Sequence, residues 1–209
     1  KASIEKNLSI AVEKNKLTVD AKIAVMSELT FTNDFSDLVA DVFIEAIIEK
    51  VDAKVNLFNQ LASINEPTVI FASNTSSLSI NLLQSQIENP ERVAGLHFFN
   101  PAQAMRLVEV VEGNATDAST LNKTIALCKQ IGKVPVVCKD APGFIVNRVA
   151  RHYYLEAMKL LEEGIAPMED IDLALESVGF KMGPFKLMDL IGMDVNYAVS
   201  ESVYDAFNK

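Results

Sequence analysis

Between residues 37 and 139 the chain alternates short runs rich in β-branched apolar residues with segments of helical spacing, and after Asp140 the runs stop. The runs are DLVADVFIEAII (37–48), TVIFAS (68–73), RVAGLHFF (92–99), LVEVVEG (107–113) and VPVVCK (134–139). The first is too short for a buried helix and predicts a strand covered on both faces, as parallel strands are. Helices are predicted over Asp52–Ile64, Leu78–Gln86 and Ala118–Ile131, so strands and helices alternate as in an α/β sheet. Before the first run, residues 1–17 keep Ile4, Leu8 and Val12 at helical spacing, and Thr18–Leu29 reads as a second helix. Residues 144–209 show helical spacing alone, broken at Gly164–Pro167, Gly179 and Gly183-Pro184. A domain boundary is therefore expected near Ala141, between an α/β part (1–140) and an all-helical part (141–209).

Of the 209 residues, 49% are hydrophobic, enough to bury a core and to argue against disorder. The net charge of −9 argues against nucleic acid or an anionic membrane as partner. No apolar run approaches the roughly 18 residues of a membrane span, and the first ten residues carry no signal-peptide pattern, so the expected compartment is cytoplasmic. Cys128 and Cys138 stand in no metal or redox spacing and read as reduced thiols; no metal site is expected.

One of the two histidines, His97, sits in GLHFFNP, on an apolar strand that Asn100-Pro101 ends. A hydrogen-bonded structural histidine and a proton-transfer group both fit that place. Twelve residues on, Glu109 lies inside the apolar strand LVEVV, where an unpaired carboxylate would cost several kcal/mol. If the two strands are neighbours, Glu109 accepts from one imidazole nitrogen and leaves the other to a ligand, the base-plus-orienter arrangement. The competing reading is a carboxylate that binds loop amides. Ser76, in ASNTSSL, lies where a strand gives way to a helix, the ligand edge of open α/β sheets. Asn74, Thr75, Ser76 or Ser77 would equally serve as the N-cap of that helix.

Five strings, IFASNTSSL, RVAGLHFFNPA, MRLVEVVEG, CKDAPGFIVNR and MGPFKLMDLIGMDV, occur in the order and spacing of the L-3-hydroxyacyl-CoA dehydrogenase family, and the resemblance runs from residue 1 to 209. It implies a Rossmann-like NAD-binding domain followed by a helical domain with dimer contacts. The implied activity is reversible oxidation of a 3-hydroxyacyl-CoA, for example 3-hydroxybutyryl-CoA in fatty-acid (β-oxidation) or butanoate metabolism, to the 3-oxoacyl-CoA with NAD. On that match His97 is the general base and Glu109 its paired carboxylate. Ser76, Asn147 and Asn100 line the substrate's reacting end, and Glu49, Lys54 and Asn74 approach NAD. For Asn100 a strand-ending turn, and for Glu49 and Lys54 a solvated charge pair at a helix start, are the competing readings. His152 takes no family role and reads as a surface or packing residue.

The resemblance also exposes a gap. A dinucleotide site of this type needs a Gly-rich turn that lets bare backbone approach the pyrophosphate, yet none of the eight glycines forms G-x-G, and no ribose-binding acid is identifiable. The chain is thus expected to lack the first strands of the NAD-binding domain and part of the helical domain, to retain little activity alone, and to self-associate through an exposed sheet edge. Lys1, Lys6, Lys14 and Lys16 form either a local basic patch for the CoA phosphates or a solvated helix face. Two other functions remain in view: a relative that oxidises a hydroxy acid without CoA, and a non-enzymatic crystallin-like structural protein.

Overall fold

A computed structural model of the chain describes residues 1–207. It divides into two compact units, Lys1–Val39 and the segment from Ala40 onward. The first unit is a pair of helices, α1 (Ala2–Glu13) and α2 (Val19–Ser27), followed by a 3₁₀ turn at Phe35–Asp37. Asn15, at φ +54°, ends the first helical path two residues before the sequence pattern does. Thr18 then caps α2, its hydroxyl accepting the Ala21 amide at 3.2 Å. Lys1, Lys6, Lys14 and Lys16 are all exposed.

The second unit holds a five-stranded sheet in the order β1 (Val42–Glu45), β2 (Ile70–Ser73), β3 (Val93–Phe98), β4 (Leu107–Glu112), β5 (Val134–Lys139). β1, β2 and β3 are mutually parallel, β4 runs antiparallel to β3, and β5 is parallel to β4. Helices α3 (Val51–Ile64), α4 (Ile80–Gln84) and α5 (Ala118–Gln130) alternate with them. α5 packs one face, where Ala72, Leu96, Val108, Val110 and Cys128 form a buried cluster with Leu121 and Ile125 against it. On β2 the next residue, Phe71, is also fully buried and meets the Phe58 ring of α3 at 5.3 Å. Gly95 has no room for a side chain: a Cβ there would lie 2.7 Å from Val111 Cβ on β4.

The expectation that the first apolar run is covered on both faces is corrected. Its strand occupies four residues, pairs with β2 alone among the described strands, and leaves Ile44 46% exposed. Ile47 and Ile48 lie beyond the strand and are exposed too. Having one neighbour among the described strands, β1 is an edge with one row of backbone groups unpaired, and the face that carries Ile44 is left uncovered.

From residue 146 the chain is helical: α6 (Val146–Glu162), α7 (Met168–Ser177), α8 (Pro184–Ile191) and α9 (Met193–Phe207). Gly192, at φ +99°, separates the last two, a break the spacing alone does not mark. Two carboxylates, the buried Asp172 and the partly buried Asp140, position helix starts. Asp172 of α7 accepts the Phe185 and Lys186 amides that open α8, at 2.9 and 3.1 Å, and Asp140 accepts the Asn81 amide of α4 at 2.8 Å. No helix among the described residues is long and apolar enough to cross a membrane.

Candidate active site

His97 and Glu109 are register partners across the antiparallel pair β3–β4. Both are buried, and His97 Nδ1 lies 2.7 Å from Glu109 Oε2. The other carboxylate oxygen, Oε1, accepts the backbone amides of Ile145 at 3.0 Å and Val146 at 2.9 Å. Both kinds of partner considered for Glu109 from sequence, the imidazole and loop amides, are thus present, one on each oxygen. Burial alone would raise the Glu109 pKa, but the hydrogen bond from His97 and those from the Val146 and Ile145 amides outweigh it and hold the carboxyl below its ordinary value. Those amides open α6, so the positive end of the helix also favours the charge.

With Nδ1 engaged by a carboxylate, Nδ1 carries the ring proton and Nε2 keeps the lone pair of neutral imidazole. The ring is wedged between Phe99 and Phe144, whose centroids lie 4.6 and 5.7 Å away. Phe144 takes φ +48°, directly after Gly143 at φ +70°, and this double left-handed turn precedes the two amides that bind Glu109. Neither aromatic was singled out from sequence. The signal for Phe144 lay in PGF just before a helix, where a glycine permits the sharp turn.

Ser76 and Asn147 come together: Asn147 Nδ2 donates to the Ser76 carbonyl at 3.4 Å. Asn147 is on the first turn of α6, next to the Glu109-bound amides, and Ser76 is in the loop after β2. None of Asn74, Thr75, Ser76 or Ser77 caps α4; Ser79 does, accepting the Leu82 amide. Thr75 instead accepts the Leu78 amide at 2.9 Å within the loop. Asn100 is exposed and lies two residues past β3, in a loop tied down by Lys133, whose Nζ donates to the Met105 carbonyl at 2.7 Å and to that of Ala102. His152 is exposed on α6.

At the carboxyl ends of β1 and β2 a polar network replaces the solvated pair considered from sequence. Lys54 is 1% exposed, and its Nζ lies 2.7 Å from Glu45 Oε1 and 3.1 Å from Glu49 Oε2. Glu49 Oε1 in turn accepts from Thr75 Oγ1, from the Ser76 amide at 3.0 Å, and from the amide and hydroxyl of Ser77. Burial pushes the Glu49 carboxyl up, but the Thr75 hydroxyl, Lys54 and the Ser76 amide together hold it low. Asn74 Oδ1 accepts the Phe98 amide at 2.9 Å, tying β2 to the end of His97's own strand. Glu45 was missed from sequence, although a carboxylate inside VFIEAII gives the same signal that marked Glu109.

Lys54 is neutralised twice over, so this edge offers no free ammonium to a phosphate. It offers instead a half-exposed carboxylate, a carboxamide nitrogen on Asn74 and a serine hydroxyl, groups suited to a planar ring bearing an amide. No cluster of three or more His, Cys, Asp or Glu placed to hold a metal occurs among the described residues.

Residues 1–141 match the model of the 3-hydroxyacyl-CoA dehydrogenase NAD binding domain, and residues 143–209 that of the same family's C-terminal domain. The chain belongs to the 3-hydroxyacyl-CoA dehydrogenase family. It is 49% identical over 206 residues to the 3-hydroxyadipyl-CoA dehydrogenase of Escherichia coli K12, a match that covers 98% of this chain and 43% of that protein. It is 42% identical over 203 residues to the mitochondrial hydroxyacyl-coenzyme A dehydrogenase of Rattus norvegicus, covering 93% of this chain and 64% of the relative. The chain therefore spans less than two thirds of either. The crystal structure of (S)-3-hydroxybutyryl-CoA dehydrogenase from Ralstonia eutropha superimposes with a TM-score of 0.95 at 38% identity, covering all of this chain and 74% of that one.

Proposed function

We propose that this protein carries out the reversible, NAD-dependent oxidation of a 3-hydroxyacyl-CoA to the 3-oxoacyl-CoA, with His97 as the general base. The observation that supports this best is the buried His97–Glu109 pair at the ligand edge of a mixed, mostly parallel sheet, with Nε2 left to accept a proton. The 3-hydroxyl proton passes to Nε2, and in the opposite direction the imidazolium returns it to the forming alkoxide. Glu109 fixes the tautomer and stabilises the imidazolium. Ser76 and Asn147 offer a hydroxyl and a carboxamide to the substrate oxygen, and Asn100 stands at the rim.

NAD, when bound, supplies the hydride acceptor. Glu49 and Asn74 are the residues of this edge that would hold its amide-bearing ring, while Lys54 acts on it through Glu49. No two of the eight glycines stand one residue apart to admit a pyrophosphate, so we expect the 209 residues by themselves to turn over slowly. We place the protein in the cytoplasm, since both cysteines are free thiols that suit a reducing compartment. We also read it as a homodimer through its helical part, where Leu173, Leu190 and Tyr197 are each more than 60% exposed.

The test is NADH-dependent reduction of acetoacetyl-CoA, run beside 3-oxoadipyl-CoA because the relatives' names differ in acyl group. A rate that falls about a hundredfold or more in His97→Ala, with NADH binding retained, is the expected result. An unchanged rate overturns the assignment of the base.

A further inference from the structure

Glu45 closes β1 with a side chain that is 1% exposed. Its Oε1 accepts from Lys54 Nζ at 2.7 Å and from the Ile47 amide at 2.6 Å, and its Oε2 accepts the Ser73 hydroxyl at 2.7 Å. These partners come from α3, from the loop just after β1 and from β2. Lys54 is shared with Glu49, and Glu49 holds four donors of the Thr75–Ser77 loop on one oxygen. A continuous chain of polar contacts thus runs from a strand end to the loop that faces Asn147.

We infer that Glu45 is a positioning residue: by anchoring the buried Lys54 ammonium it fixes Glu49, and through Glu49 it sets the backbone of Thr75–Ser77. The catalytic meaning of this rests on the reading of Ser76 as a substrate contact, whereas the mechanical linkage does not. A buried ammonium needs its charge answered. With two carboxylates on it, Lys54 stays where the fixed one holds it, and the half-exposed Glu49 is free to point its other oxygen at the loop. Without the Glu45 charge, Glu49 alone must neutralise Lys54. It is drawn off the loop, the Ser76 amide loses its acceptor, and the Ser77 amide is left with Thr75 Oγ1 alone. Networks of this kind fail as a unit.

The linkage is tested by amide hydrogen exchange on the 209-residue chain, comparing wild type with Glu45→Gln. Glutamine keeps the shape and can still accept the Ile47 amide, so the change is mainly one of charge. The Ser76 and Ser77 amides should exchange about tenfold faster or more. The Ile145 and Val146 amides, held by Glu109, should change by less than about twofold. Equal acceleration at all four, or none at Ser76 and Ser77, overturns the inference. Should Glu45→Gln fail to fold, Ser73→Ala removes one anchor of Glu45 without touching the ion pair; it also removes the acceptor of the Thr75 amide at 3.4 Å, so only the Ser76 and Ser77 amides are read. It should give the same selective pattern at smaller amplitude, and a uniform or null pattern there is equally fatal. No substrate or cofactor enters the measurement, so its failure is separate from failure of the dehydrogenase reading.

Discussion

His97 and Glu109 stand opposite one another on β3 and β4, and the carboxylate that meets Nδ1 at 2.7 Å also holds the first amides of α6. One side chain therefore orients the proposed base and anchors the helix that carries Asn147.

Glu109→Gln separates these two duties. The glutamine oxygen can still accept the Ile145 and Val146 amides, but its NH₂ group then faces Nδ1, which must become the acceptor and leave the proton on Nε2. The base is thus in the wrong tautomer while the fold is kept. Turnover in acetoacetyl-CoA reduction should fall by about 10² to 10⁴, with a much smaller change in KM. A variant within about threefold of wild type would remove Glu109 from the mechanism.

Glu109 and Glu49 also make stability depend on pH. Both carboxyls are held below their ordinary value of 4.5 in the folded protein. A depressed folded pKa contributes stability that is present above the unfolded value and is lost as pH falls through the folded one. The urea midpoint should therefore be insensitive to these groups between about pH 7 and pH 5, and should fall on acidification below 4.5. Glu109→Gln and Glu49→Gln should each flatten that acid limb, as denaturation series at several pH values would reveal.

The alternation of strand and helix was legible because apolar runs and helical spacing are local properties of the chain. The antiparallel turn between β3 and β4 was legible in principle: eight residues separate Phe98 from Leu107, too few for a crossover helix. What could not be read is who meets whom at long range. Lys54 looks like a surface lysine on a helix start, and only the strand order shows that β1 brings Glu45 onto it while Ser73 of β2 holds the other oxygen of Glu45. Ser79 caps in place of the four earlier residues because α4 opens only at Ile80, while Glu49, more than twenty residues upstream, holds Thr75–Ser77 as a loop.

Gly143 and Gly164 make a controlled pair. Both take φ +70°, so alanine at either carries the left-handed backbone cost of about 1 kcal/mol. At Gly164 a new Cβ meets nothing within 4 Å, whereas at Gly143 it would lie 2.9 Å from Val203 Cγ2 and 3.1 Å from the Arg148 amide nitrogen. Gly143→Ala should therefore lower the thermal midpoint well beyond Gly164→Ala. Only Gly143→Ala should slow turnover, since it displaces the amides that hold Glu109.

Cys138 is a poor thiolate. Burial first, then the neighbouring charges of Glu109 and Asp140, push its pKa up to about 11. Burial raises Cys128 as well. Labelling of the native protein by a disulfide reagent at about pH 8 should be at least tenfold slower than in urea at both positions.

Arg151 is buried on α6, and each of its hydrogen-bond acceptors is neutral. Its Nη1 donates to the carbonyl and Oδ1 of Asn196 at 3.0 and 2.9 Å and to Ser200 Oγ at 2.6 Å, so a single guanidinium ties α6 to α9. Burial lowers its pKa, and the Tyr154 ring 4.9 Å away meets the charge with its π face. Arg151→Met fills similar space but leaves Asn196 Oδ1 without this donor, beside an Nδ2 that already has no partner. The expected cost is about 1–3 kcal/mol in urea unfolding. Adding Asn196→Leu to Arg151→Met removes the stranded amide, so the double variant should be more stable than the two single losses predict. Strict additivity would mean that the contact seen between α6 and α9 contributes nothing to stability.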